Sequence, residues 1–181
     1  MKAPRVLVAG VGNIFLGDDA FGVEVARQLM RRPQPDGVRV VDFGIRGLDL
    51  TYALLDGYDV VILVDATPRG EAPGTLYVLE VEPPALEEAG TDDLAVEGHN
   101  LDPARVFRLA AVLGSCVRRL FVVGCEPGRT EDWEEMAAGL SNPVQAAVGE
   151  AVGMVESLIR RLLIAPGGQI LPPMEVASCP S

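Results

Sequence analysis

Two adjacent carboxylates follow a glycine-rich turn near the start of the chain, and their position suggests metal chemistry. The segment Val6–Gly22 reads VLVAGVGNIFLGDDAFG, so Asp18 and Asp19 begin six residues after Gly12. A strand, a glycine-rich turn and a helix in this order usually bind phosphate, because backbone N–H groups and the helix dipole attract anions. Here two acids occupy the start of the predicted helix. Their negative charge favours a cation over a nucleotide.

Two further residues are predicted to lie at the same edge of a sheet. Asp65 directly follows the apolar run Val60–Val64, and His99, the single histidine of the chain, precedes a predicted helix. Open α/β sheets bind ligands beyond the carboxyl ends of their strands, so Asp19, Asp65 and His99 are expected to meet there. Two carboxylates and an imidazole suit zinc, nickel or another first-row divalent ion, with one position left open. These three residues are the candidates for both catalysis and metal contact.

Each candidate also has a purely structural interpretation. Asp18 and Asp19 are both good helix-capping residues, and we expect Asp18 to be structural. Asp65 could open a turn, although a carboxylate at the end of a buried strand carries a desolvation cost unless it is paired. A lone histidine such as His99 is more often a surface or hydrogen-bonded residue than a ligand.

Other chemistries have weaker support in the sequence. The GVGN turn lacks a third glycine at the offset of a dinucleotide-binding fingerprint, although Asp42 could contact a ribose from the end of the second strand. A Ser-His-Asp triad would have to use His99, and there is no GxSxG motif. Cys125 ends a predicted strand and suits packing better than nucleophilic attack.

Composition limits the class of protein and its partners. The chain has 181 residues, 49% of them apolar and 23% charged, which is typical of one globular domain. Its net charge of -11 argues against nucleic acid or an anionic membrane as the main partner. Three cysteines without CxxC spacing argue against a disulfide framework or a cysteine zinc site. With no signal peptide and no apolar segment of about 20 residues, we expect a cytoplasmic protein.

Strands alternate with helices along the chain. Strands are predicted over 5–10, 38–41, 60–64, 74–81 and 119–124, and helices over 19–31, 48–55, 103–113 and from 142 onward. This order predicts an α/β fold, a three-layer sandwich whose mainly parallel twisted five-stranded sheet carries helices on both faces. We expect a single domain over 1–164 and a flexible tail over 165–181. The acidic segment 82–100 is weakly periodic, and its place next to His99 is compatible with a lid.

Several motifs occur in an order that resembles the hydrogenase maturation endopeptidases. They are GVGN(x4)DDxxG at Gly10–Gly22, VDA at Val64–Ala66, GH at Gly98–His99, APGTLYVLE at Ala72–Glu80, VVGCEP at Val122–Pro127 and GLS(x2)V(x2)AV at Gly139–Val148. The resemblance covers residues 5 to 160.

The resemblance implies an activity and a role for each candidate residue. The family removes a C-terminal extension from the large-subunit precursor of nickel–iron hydrogenases. Asp19 and Asp65 match its two metal-contacting acids, and His99 matches its histidine. The nickel would already be installed in the precursor, so the protein needs no nucleotide or organic cofactor, and we expect a monomer. Nickel could act as a Lewis acid, or it could only dock the precursor while Asp19 or Asp65 acts as base.

One segment departs from the family pattern. Many members carry DGGT after the second strand, in a region associated with substrate selection, whereas residues 42–47 here read DFGIRG. Asp42 and Gly44 match the selectivity positions, but the threonine is missing, which implies a different client hydrogenase. The rival interpretations are a nickel carrier and a nucleotide-binding regulatory module without peptidase activity.

Overall fold

The computed structural model describes residues 3–83, 102–128 and 139–164. Its strands are β1 (Val6–Val11), β2 (Val38–Gly44), β3 (Val60–Ala66), β4 (Leu76–Val81) and β5 (Arg119–Cys125). Its helices are α1 (Phe21–Met30), α2 (Gly47–Leu54), α3 (Pro103–Val112) and α4 (Asn142–Ile164), with a 3-10 turn at Gly17–Ala20 before α1. All the predicted strands and helices are present. The expected tail 165–181 and the segment 82–100 from residue 84 onward lie outside the described residues.

The five strands form one sheet in the order β2-β1-β3-β5-β4. All neighbouring pairs are parallel except β4 and β5, so the prediction of a mainly parallel sheet is confirmed. After β1 the chain adds β2 on one side and then β3 on the other. The strand order therefore reverses between β1 and β3, where α/β sheets open a crevice for ligands.

Helices cover both faces of the sheet, which confirms the three-layer architecture. Val6 and Val8 of β1 belong to the core cluster that also contains residues of α1 and α4. Leu7 and Ala9 belong to the opposite cluster, together with residues of α2 and α3. Burial on both faces explains why β1 and β3 are continuous apolar runs rather than alternating ones.

Strand β3 is longer than the sequence predicts. Asp65 pairs with Gly124 and Ala66 pairs with Cys125, so the ladder with β5 continues past Val64. Asp65 is consequently a residue of the strand and does not open a turn. This extension holds its backbone in the sheet next to the crevice between β1 and β3.

The longest described helix, α4, has 23 residues and places one apolar side on the sheet. Its buried residues recur at helical spacing: Val144, Ala147, Val148, Ala151, Val152, Val155, Leu158, Ile159 and Leu162. Neither this helix nor any other in the described ranges is long and apolar enough to cross a membrane.

Candidate functional site

Asp19 is placed next to the end of β1 by the turn that begins at Gly12. Gly12 has a φ of 129°, and a Cβ at this position would lie 1.8 Å from the carbonyl oxygen of Asp19. Only glycine fits such a contact. The Asn13 N–H donates to Asp19 Oδ2 at 2.6 Å. The turn thus fixes both the backbone and the carboxylate of Asp19.

Several N–H groups of this turn already have partners inside the protein. Gly12 N–H donates to the Gly44 carbonyl at 3.0 Å, and Leu16 N–H donates to the Asn13 carbonyl at 3.0 Å. The Asn13 N–H is taken by Asp19. A phosphate would need such donors to be available and directed at it. The turn is therefore poorly suited to a nucleotide, as the two acids also indicate.

Asp65 lies within electrostatic reach of Asp19. The pKa of Asp65 is raised from 3.8 to about 7. Burial is the larger cause and the charge of Asp19 is the second, while the hydrogen bond from the backbone N–H of Ala66 partly opposes the rise. Close packing permits this approach, because Gly22 at the start of α1 lies against β3: a Cβ on it would be 2.0 Å from the Val64 carbonyl oxygen. The fold thus brings together two of the three candidate residues.

His99, the third candidate, lies outside the described residues, so its place in the site stays a prediction. Within 3–83, 102–128 and 139–164 there is no group of three or more His, Cys, Asp or Glu side chains that could hold a metal ion. The described part of the site therefore offers two carboxylates to a cation.

Asp18 has a structural role, as expected, but its partners are remote in sequence. Its carboxylate accepts the Gly128 N–H at 2.7 Å, the Ser141 N–H at 2.6 Å and the Ser141 hydroxyl at 2.8 Å. It therefore does not cap the helix of its own segment. It ties the turn that carries Asp19 to the chain after β5 and to the residue before α4.

Glu126 is a buried carboxylate that the sequence prediction missed. It accepts the N–H groups of Arg69 at 2.7 Å and Gly70 at 3.1 Å, and the Tyr77 hydroxyl lies 3.4 Å away. Burial acts to raise the pKa of Glu126, but the hydrogen bonds from these groups and from the Glu71 N–H lower it overall. An acid directly after an apolar strand was the available signal, the same one that identified Asp65.

Asp42 and Gly44, the predicted selectivity residues, lie on β2 beside the Gly12 turn. The Gly44 carbonyl accepts the Gly12 N–H, and Asp42 Oδ2 accepts the Arg27 Nε–H at 3.0 Å. The Asp42 carbonyl accepts a hydrogen bond from the Arg46 guanidinium. The ion pair with Arg27 argues against the ribose contact considered for Asp42. A role of these residues in substrate selection stays a prediction.

Cys125 packs in the core, as predicted. Its side chain is fully buried, and burial, followed by the charges of Asp18 and Glu126, raises the pKa of its thiol to about 12. A thiol that stays protonated at neutral pH is a poor nucleophile.

Comparison with known proteins identifies the family and agrees with the fold. A family profile described as hydrogenase maturation protease matches residues 23–158. The hydrogenase expression/formation protein HoxM of Azotobacter vinelandii is 34% identical over 168 residues, covering 91% of this chain and 77% of that protein. The hydrogenase 2 maturation protease of Escherichia coli is 31% identical over 158 residues, covering 86% and 91%. The solved structure of the hydrogenase maturating endopeptidase HybD from Escherichia coli is similar with a TM-score of 0.65 and 28% identity, covering 87% of this chain and 93% of that one.

Proposed function

The chain belongs to the hydrogenase maturation protease family, and from this premise we propose that it removes the C-terminal extension of a nickel–iron hydrogenase large-subunit precursor and recognises the nickel bound there. Its enzyme class is that of the family, an endopeptidase. The proposed client is a precursor that already carries its nickel. The metal then arrives as part of the substrate.

The observation that carries the proposal is the Asp19–Asp65 pair at the switch point between β1 and β3. Two carboxylates in electrostatic contact repel each other, and burial adds to the cost of ionising Asp65. A divalent cation between or beside them would remove both penalties. Oxygen ligands together with an imidazole are a suitable donor set for a first-row ion such as nickel.

His99 completes the proposed contact set. Its support is the match of Gly98–His99 to the GH motif of the family and the suitability of a neutral imidazole as a nickel ligand. We assign Asp19, Asp65 and His99 the role of contacting the nickel of the precursor. Asp42 and Gly44, beside the Gly12 turn, are the proposed determinants of which precursor is accepted.

The chemistry of cleavage is hydrolysis of one peptide bond. The oxygen of a water molecule bonds to the carbonyl carbon, the C–N bond breaks, and the released amine takes a proton. A divalent ion can polarise the carbonyl or lower the pKa of the water. In the proposed mechanism the nickel supplies this assistance, and Asp19 and Asp65 hold it in place. An alternative assigns docking to the nickel and proton removal to one of the two carboxylates.

The decisive experiment mixes the purified protein with nickel-loaded and nickel-free forms of the same precursor and follows the precursor mass. We expect only the nickel-loaded form to lose a C-terminal peptide. Absence of cleavage with every nickel–iron hydrogenase precursor of the source organism would overturn the proposal. Tight nickel binding by the isolated protein without any cleavage would instead indicate a nickel carrier.

We also propose that the protein acts as a monomer in the cytoplasm. The support for the compartment is the cysteine content: the two cysteines among the described residues, Cys116 and Cys125, are free thiols, and structural disulfides are rare in reducing compartments.

A further inference from the structure

Three consecutive large apolar side chains are exposed beside Asp19. Ile14, Phe15 and Leu16 are 41%, 77% and 43% exposed. Single exposed apolar residues are normal on a protein surface, whereas a contiguous group next to a candidate site indicates an interaction surface.

The loop that presents these side chains is held by hydrogen bonds. Phe15 N–H donates to Asn13 Oδ1 at 3.0 Å, and Leu16 N–H donates to the Asn13 carbonyl at 3.0 Å. Asn13 N–H donates to Asp19 Oδ2, and Asp19 N–H donates to the Leu16 carbonyl at 3.1 Å. Four N–H groups of the loop are thus bound inside it while its apolar side chains are exposed. A loop ordered in this way before binding loses little conformational entropy when a partner docks.

The short loop after β2 and the first turn of α2 add exposed apolar surface. Ile45 and Leu48 are both exposed and follow Gly44, whose carbonyl accepts the Gly12 N–H. Because β1 and β2 are parallel neighbours, the two loops leave the same edge of the sheet. We call this set the apolar rim: Ile14, Phe15, Leu16, Ile45 and Leu48.

Charge next to the rim restricts what can occupy it. Asp19 and Asp65 place two acidic side chains near the rim, and the whole chain carries a net charge of -11. A suitable partner presents apolar side chains next to a positive centre. A second copy of this chain would instead bring four carboxylates together, which is unfavourable.

We propose that the apolar rim docks an apolar stretch of the precursor polypeptide adjoining its nickel site, with Phe15 as the main contact. This inference rests on the proposed function and names the surface that supplies substrate affinity. The nickel approaches Asp19 and Asp65 while the neighbouring apolar residues of the precursor cover Phe15. Burial of the phenyl ring in the interface then stabilises the complex. The ring contributes little to the stability of the free protein, where it is exposed.

The test compares Phe15→Ser with Met30→Ser. Met30 is 54% exposed, but it ends α1 and so lies at the opposite edge of the sheet, which makes it a matched control. For Phe15→Ser we expect KM for the nickel-loaded precursor to rise about tenfold or more, as loss of a buried aromatic contact predicts, with kcat and Tm little changed. Phe15→Leu should recover most of the affinity. Met30→Ser should match the wild type.

Three results would overturn this inference. They are an unchanged KM for Phe15→Ser, an equal rise for Met30→Ser, and a concentration-dependent wild-type dimer that Phe15→Ser abolishes. A direct binding measurement with the purified nickel-loaded precursor tests the docking role of the apolar rim independently of the proposed peptidase function. Wild-type binding that is weakened in Phe15→Ser, without cleavage by either protein, would support the rim and overturn the peptidase assignment.

Discussion

Two carboxylates lie at the carboxyl ends of neighbouring strands, Asp65 on β3 and Glu126 just after β5, and the fold treats them in opposite ways. Glu126 accepts N–H groups from Arg69 and Gly70, and its pKa is lowered despite burial. Asp65 is half-buried near Asp19, and its pKa is raised to about 7. The protein compensates the charge of Glu126 with its own donors, whereas the charge of Asp65 is left for something else to stabilise.

This difference separates a structural acid from the one that we propose as a metal contact. A buried carboxylate that is fully hydrogen-bonded holds loops together and has little capacity left for a ligand. A partly buried carboxylate that interacts with another carboxylate is costly for the free protein and favourable for a cation. Asp18 and Asp19 show a related contrast in adjacent positions. Asp18 accepts three hydrogen bonds from remote segments, whereas Asp19 accepts one from nearby Asn13 and interacts electrostatically with Asp65.

The largest expected effect is on cleavage. Asp65→Asn should lower the rate of processing of nickel-loaded precursor by about a hundredfold or more, because a contact to the metal contributes substantially to transition-state stabilisation. The matched control is Glu126→Gln, which should lower Tm and leave cleavage near the wild-type rate below its unfolding temperature. Mass spectrometry gives the rates, and circular dichroism checks the fold. Loss of activity in folded Glu126→Gln with none in Asp65→Asn would reverse the comparison.

A second prediction concerns the pH dependence of stability. The folded-state pKa of Asp65 is about 7 and its ordinary value is 3.8, so the folded protein holds a proton that the unfolded chain releases between these values. The stability from this group is fully present below pH 3.8 and is lost as pH rises through about 7. The Asp65→Asn variant has no titrating group at this position, so its stability does not fall in this way as pH rises.

We therefore expect Asp65→Asn to gain stability relative to wild type on going from acidic pH to pH above about 7. The gain should be about 2–4 kcal/mol, from about 1.4 kcal/mol for each unit of pKa difference, reduced by partial solvent exposure. Urea unfolding with a chelator present measures it. A difference between the two proteins that does not change with pH would show that Asp65 is compensated in the way that Glu126 is.

The smallest of the three effects is expected at Asp18. Asp18→Asn should lower the free energy of unfolding by about 1–3 kcal/mol, because an amide replaces one oxygen acceptor by a donor facing N–H groups. Ser141→Ala removes only the hydroxyl contact, so its loss should be smaller. Urea unfolding at neutral pH compares them, and both should retain cleavage. A loss of cleavage in Asp18→Asn as large as that in Asp65→Asn would place Asp18 in the reactive site.

Much of the fold follows from local patterns in the sequence. The apolar runs Val6–Ala9 and Val60–Val64 could be recognised because buried parallel strands need apolar side chains on both faces. The ends of elements were less predictable. Asp65 belongs to β3 only because β5 continues to supply ladder partners at Gly124 and Cys125.

The sequence by itself determined the alternation of strands and helices, the type and spacing of the site residues, and the family to which the chain belongs. Those properties depend on side-chain chemistry and short-range periodicity. Only the tertiary structure decided which acids are compensated. The partners of Asp18 are 110 and 123 residues away, and the N–H donors to Glu126 are 56 and 57 residues away. Charge compensation depends on donors that folding brings together from remote segments, and therefore no local pattern can report it.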